Sequence, residues 1–148
     1  MKILGINFTK LNAEKFSSGS KSLNIGTNMN ISEIKELKSD FFSSKEKALG
    51  IKFIYEIDYE PNFAKINLVG NILVSTDEAN FNQILEGWKE KKLPDDFRIS
   101  IFNLILKKSS LRALQLEEEI NLPLHIAMPY LKSKEKSQDP EQTKSSSK

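Results

Sequence analysis

The chain has 148 residues, 39% hydrophobic and 28% charged, a size and balance suited to one domain with a single buried core. It contains no cysteine and one histidine, so a disulfide framework and a thiolate metal site are excluded, and no metal or other cofactor is expected. The formal charge is +2, but five of the 22 basic and three of the 20 acidic residues lie from Lys132 onward, which leaves the body of the chain balanced.

The amino-terminal "MKILGINFTKLNAEK" has polar interruptions every few residues, unlike a secretory signal, and no apolar run approaches the ~20 residues that span a bilayer. A cytoplasmic protein without membrane insertion is expected. The first strand is expected in "KILGINFTKL", with Leu4, Ile6 and Phe8 on one face. After the turn-rich "KFSSGSKS", "LNIGTNMNIS" alternates Leu23, Ile25, Met29 and Ile31 against Asn24, Gly26, Asn28 and Asn30. "EIKELKSDFFSSKEKAL" comes next, either as a helical turn or as a long hairpin end with Phe41 and Phe42 packed inward. Gly50 is read as serving the turn into the third strand. That strand, "GIKFIYEIDYE", sets Ile51, Phe53, Tyr55, Ile57 and Tyr59 on one side, and Pro61-Asn62 punctuates it. In "FAKINLVGNILVS", Ala64, Ile66, Leu68, Ile72 and Val74 oppose Lys65, Asn67 and Asn71, and Gly70 reads as a bulge or a close backbone approach. Alternation of this kind implies one buried and one wet face, and so antiparallel pairing.

The period changes after Ser75. Thr76 or Asp77 caps a helix on which Phe81, Ile84, Leu85 and Trp88 stand at i, i+3, i+4 and i+7, and "KKLP" ends it. Gly87 weakens that helix by roughly 1 kcal/mol relative to alanine. Pro94, Asp95 and Asp96 suit the start of a second helix. Its apolar arc is wide: Phe97, Ile101, Leu104, Ile105, Leu111 and Leu114, broadened by Phe102 and Leu106. Such a helix meets the sheet on one side and another partner, such as a second subunit, on the other. Ser109-Ser110 is a place for a kink, and Asn121-Leu122-Pro123 stops the helix. The predicted architecture is α+β: a four-stranded antiparallel sheet followed by two helices, one domain over residues 1–131, with a disordered Lys/Ser-rich tail over 132–148.

No catalytic motif is present, and an enzyme is not expected. His125 in "LPLHIAMP" lacks a neighbouring nucleophile or acid motif and reads as a packed or capping imidazole, a bystander to function. Glu117-Glu118-Glu119 reads as a solvated helix end, because adjacent helical residues diverge by about 100° and cannot converge on a cation. Asp95-Asp96 is explained by its place at a helix start. The glycines form neither a phosphate loop nor a dinucleotide fingerprint. Arg98 and Arg112 are the only arginines, which argues against sequence-specific DNA reading.

The order of elements, with "GNILVSTDEANFNQILEGW" leading into "LPDDFRISIFNLILKKSSLRALQLEEEINLPLHI", resembles the SecB-type protein-export chaperones. Leu93-Pro94, Phe97-Arg98 and Leu122-Pro123-Leu124 stand at places comparable to that family's punctuation, and the resemblance runs from Lys2 to Tyr130. It implies an ATP-independent holdase, a dimer or tetramer of identical chains, that takes unfolded or nascent polypeptide into an apolar groove. Phe41, Phe42, Trp88, Leu122, Leu124, Ile126 and Met128 are the expected groove-lining residues. This chain departs from the family in charge, with a pI of about 8.7 where bacterial members are strongly acidic. The alternative is a ribosome- or RNA-associated structural protein, whose lysine-rich tail lies along phosphates.

Overall fold

The computed structural model describes residues 1–17, 19, 22–38 and 45–133. Four strands, β1 (Lys2–Lys15), β2 (Asn24–Leu37), β3 (Glu46–Glu60) and β4 (Ala64–Asp77), precede two helices, α1 (Glu78–Lys89) and α2 (Asp95–Glu119). The expected class and element order are those observed. The sheet is antiparallel throughout, in the order β1-β4-β3-β2. Three hairpin-connected strands with β1 returned beside β4 make a Greek key, so the short β1–β2 connection leads from one sheet edge to the other.

The register carries the apolar residues to the helix-facing side in rows across all four strands. One row reads Phe8, Gly70, Phe53 and Ile31; the next reads Leu11, Leu68, Tyr55 and Met29. On β3 and β4, Ile51, Phe53, Tyr55, Ile57, Ile66, Leu68, Ile72 and Val74 lose all contact with water. Each such side chain contributes roughly 1.5–3 kcal/mol of transfer free energy, which makes this face the main source of stability.

Simple alternation fails on the edge strands. Register shifts between Ile3 and Gly5, and between Phe8 and Lys10, insert Leu4 and Thr9 as extra residues. Each insertion reverses the parity of the residues after it. The helix-facing set of β1 is therefore Ile3, Ile6, Phe8, Leu11 and Ala13, and Leu4 leaves the face expected for it. Ser32 plays the same part in β2, so that Ile34 succeeds Ile31 on the core side. The hydroxyls of Thr9 and Ser32 donate to Val69 O and Lys52 O of the adjacent strands, which ties each bulge down.

Gly70 is a close-approach site. A Cβ there would stand 2.6 Å from Asn7 O and 2.6 Å from Phe53 Cζ, in space that the Phe53 ring already fills. Phe8 and Phe53 meet edge-on above it, with ring centroids 6.0 Å apart. Gly50 lies within β3 rather than in the turn before it, paired to Lys35 and Leu73 and packed under Leu37.

Asp77 caps α1 by accepting from Asn80 N at 2.8 Å. Gly87 has a positive reason to be there: Lys92 folds back over it, and a Cβ would come within 2.6 Å of Lys92 O. α1 lies against β2, β3 and β4, and α2 against β2 and β3. On α2 the buried track is Phe97, Ile101, Ile105, Ser109, Ala113 and Glu117, an i, i+4 row with Ser110 buried beside it. Four-residue steps advance about 40° around the helix, so the track winds across its surface. Leu111, expected in the core, is therefore 57% exposed, while small and polar residues take the buried places in the second half. The helix continues through Ser109-Ser110 to Glu119. Phe41, Phe42 and the tail from residue 134 lie outside the described residues.

Gly70→Ala should cost about 1–3 kcal/mol through overpacking against the Phe8–Phe53 pair. Urea unfolding would show a lower midpoint at unchanged slope.

Candidate functional site

After α2 the chain reverses sharply. Asn121 adopts the left-handed conformation at φ 58°, Leu122 N donates to Glu117 O at 2.8 Å and Asn121 N to Glu118 O at 3.4 Å. This six-to-one, five-to-two closure is a Schellman motif with asparagine in the place glycine usually takes. Leu122 is thereby planted in the core, and Pro123 prevents the helix from resuming. The next residues, Leu122 to Leu131, form a strap without helix or strand.

The strap is fastened by side chains of β3 and α2. The Tyr59 hydroxyl donates to Pro123 O at 2.5 Å. His125 meets Glu117 twice: its backbone N–H donates to Oε1 at 3.0 Å, and its Nδ1 stands 2.6 Å from Oε2. The Tyr55 hydroxyl bridges His125 Nε2 and Ser110 Oγ, each at 3.2 Å, and the Tyr55 and His125 rings meet edge-on. Because Pro123 lies at Tyr59 and His125 at Tyr55, the strap runs opposite to β3. The cluster is sealed, with the Glu117 side chain 0% and that of His125 3% exposed.

The structure corrects two expectations. Glu117 is no part of a solvated helix end; it is wholly buried, and only Glu118 and Glu119 face water. A carboxylate shut away from solvent survives there because His125 meets it with its backbone N–H and its ring Nδ1. The histidine is the packed imidazole expected, but it fastens the strap rather than standing by. Ser110, Tyr55, His125 and Glu117 are linked in series by these contacts, and their side chains are enclosed. Among the described residues no group of His, Asp or Glu side chains is placed to hold a metal ion. No helix among them is long and apolar enough to cross a membrane.

Burial, and secondarily the negative charge of Glu117, pushes the Tyr59 phenol well above its ordinary value near 10. Tyr55 is also raised by burial, with the Ser110 bond pulling partly back and Glu117 adding to the rise.

Past His125 the strap turns apolar surface outward: Ile126, Met128, Tyr130 and Leu131 are exposed, and Leu124 is half-buried. Of the expected groove residues, Leu122, Leu124, Ile126 and Met128 are thus gathered on one segment. Trp88 stands apart on α1, half-buried against the core. Leu106 is exposed, in keeping with the wide arc expected of α2, but sequence reasoning missed two sets of exposed apolar side chains: Ile3 and Leu11 on β1 with Phe16 just past it, and Ile99 and Leu111 on α2. The bulges of β1 hid the first, and the winding track of α2 hid the second. β1 is also an edge strand, with one row of main-chain donors and acceptors unpaired within the sheet. On the opposite face of the sheet, a broad depression of about 770 Å³ is lined by Gly5, Asn7, Lys35, Gly50, Lys52 and Leu73, a mixed polar surface. What the strap side can do chemically is bury apolar side chains and bind extended main chain.

No protein-family profile and no curated relative matches the chain. Among solved structures it is similar to the Mycobacterium tuberculosis Rv1957 SecB-like chaperone in complex with a ChAD peptide from the Rv1956 HigA1 antitoxin. The two are 13% identical, the match covers 88% of this chain and 89% of that one, and the TM-score is 0.53. The fold of this chain is thus that of a SecB-like chaperone.

Folding stability should depend on the two tyrosines at alkaline pH. Their phenols ionise near 10 in the unfolded chain and higher in the folded one, so their contribution is complete below about 10 and is lost as pH climbs through the folded values. Thermal unfolding from about pH 8 to about pH 12 should show this decline, and Tyr59→Phe should flatten it.

Proposed function

We propose that this protein is an ATP-independent binder of unfolded or nascent polypeptide, working in the cytoplasm. The observation that carries the reading is the exposed apolar surface of the strap, on a fold shared with a SecB-like chaperone that holds a peptide. Extended segments are taken by burial of their apolar side chains against Leu124, Ile126 and Met128, with Leu122 in the core at the root of the strap; Trp88, apart on α1, belongs to the same proposed lining. Phe41 and Phe42 belong to the same proposed lining on sequence grounds. The free edge of β1 adds main-chain pairing, which is indifferent to sequence and so suits many clients. No nucleotide is needed, because hydrophobic burial supplies the binding free energy.

The outward face of α2, with Ile99, Phe102 and Leu106 at i, i+3 and i+7, supports self-association into a dimer or tetramer. The ribosome-bound alternative rests on the lysine-rich tail alone and gains no support from the described residues.

The test is light scattering from a client that aggregates on dilution from denaturant. Stoichiometric protein should suppress the signal without ATP, and Ile126→Asp/Met128→Asp should lose most of that protection while keeping the fold. No suppression by the unaltered chain would sink the reading. Sedimentation should give a mass of two or four chains, falling to one in Ile99→Asp/Leu106→Asp.

A further inference from the structure

The strap is held as an extended peptide is held in a groove. Its fastened part belongs to neither helix nor sheet. Its main chain is instead gripped by side chains, the Tyr59 hydroxyl on the carbonyl of Pro123 and the Glu117 carboxylate on the N–H of His125. Its sequence, "LPLHIAMPYL", is apolar, free of formal charge apart from the imidazole, and barred by two prolines from regular structure. This is the chemistry of the polypeptide that the proposed function would have the protein bind.

We infer that the strap is an internal competitor, occupying part of its own polypeptide groove, and that the Glu117–His125 pair is the latch that keeps it there. The inference rests on the polypeptide-binding reading above. The latch is a two-state element on physical grounds. Closed, His125 satisfies a carboxylate that has no water. Open, Glu117 is hydrated and the Tyr55 and Tyr59 rings are uncovered as an aromatic floor, the Tyr55 hydroxyl keeping its Ser110 partner. Leu122 stays fixed by the Schellman turn in both states, so the moving part begins at Pro123. A client caught on the exposed Ile126 and Met128 reaches the Tyr55–Tyr59 floor only by displacing the fastened stretch from Pro123 to His125, and the observed affinity is reduced in proportion to the molecules in which that stretch is closed.

Two substitutions separate the possibilities. His125→Ala removes the latch. Tyr59→Phe removes only the hydroxyl that grips Pro123, an exposed residue, and so preserves the core ring if the first variant folds poorly. Amide hydrogen exchange across residues 122–131 reads strap release without any client. Fluorescence anisotropy with labelled, reduced and carboxymethylated lactalbumin reads polypeptide binding. The expected result is exchange faster by at least about tenfold in the strap, with β3 and α2 unchanged, and binding tighter by roughly three- to tenfold. Tyr59→Phe should move both readouts the same way by less. Unchanged exchange in both variants overturns the latch. Faster exchange with unchanged or weaker binding overturns the competitor role. Faster exchange with no binding by any variant, the unaltered chain included, upholds the latch but overturns the polypeptide-binding reading itself.

Discussion

A carboxylate shut away from water must find its donors inside the protein, and much of this molecule is arranged around that need at Glu117. The donors come from His125, eight residues on, so the chain has to double back as soon as α2 ends. Asn121 in the left-handed region and Pro123 beyond it make the reversal. α2 also has to lie close enough to β3 for Tyr55 to reach both Ser110 and His125. The buried track there is built from Ser109, Ser110 and Ala113, where leucines would hold the helix off the sheet. The polar cluster and the lack of bulk beside it are one feature.

Similarity to a mycobacterial SecB-like chaperone extends over nearly the whole chain at 13% identity, so it is the order and packing of the elements that is common. The fold depends on the apolar sheet face, its rows crossing four strands and its close approach at Gly70. The strap, by contrast, is positioned by a handful of hydrogen bonds among Tyr55, Tyr59, Ser110, Glu117 and His125. Such bonds can be exchanged for others without disturbing the sheet, so what lies on the scaffold can change while the scaffold stays recognisable.

The legible parts of the sequence are those governed by local rules. The alternation of β3 and β4 has no interruption, and both strands read with the correct face inward. The Asp77 cap, the Pro94 start and the Asn121-Leu122-Pro123 stop depend on neighbours in the chain and are equally plain. Parity on β1 and β2 is lost at Leu4, Thr9 and Ser32, because a bulge exists only relative to the partner strand. The placing of β1 beside β4 is a choice among pairings that alternation leaves open. Glu117 misleads for a related reason: in a run of three glutamates nothing local distinguishes the one whose partner lies across a turn. A glutamate at the end of a buried i, i+4 row with a histidine just past a helix stop is the signal available, and only the register of α2 on the sheet gives it meaning.

The bulges of β1 bear on how long a bound chain would stay. A strand added to that edge finds its ladder broken at Leu4 and again at Thr9, and the unshifted runs are short, Gly5 to Phe8 and Lys10 to Lys15. Bonds along so short a run cannot accumulate into a long-lived complex, nor can the edge serve as a template for indefinite stacking. An edge interrupted in this way gives an added strand little to hold, and the same irregularity works against edge-to-edge pairing between copies of the chain.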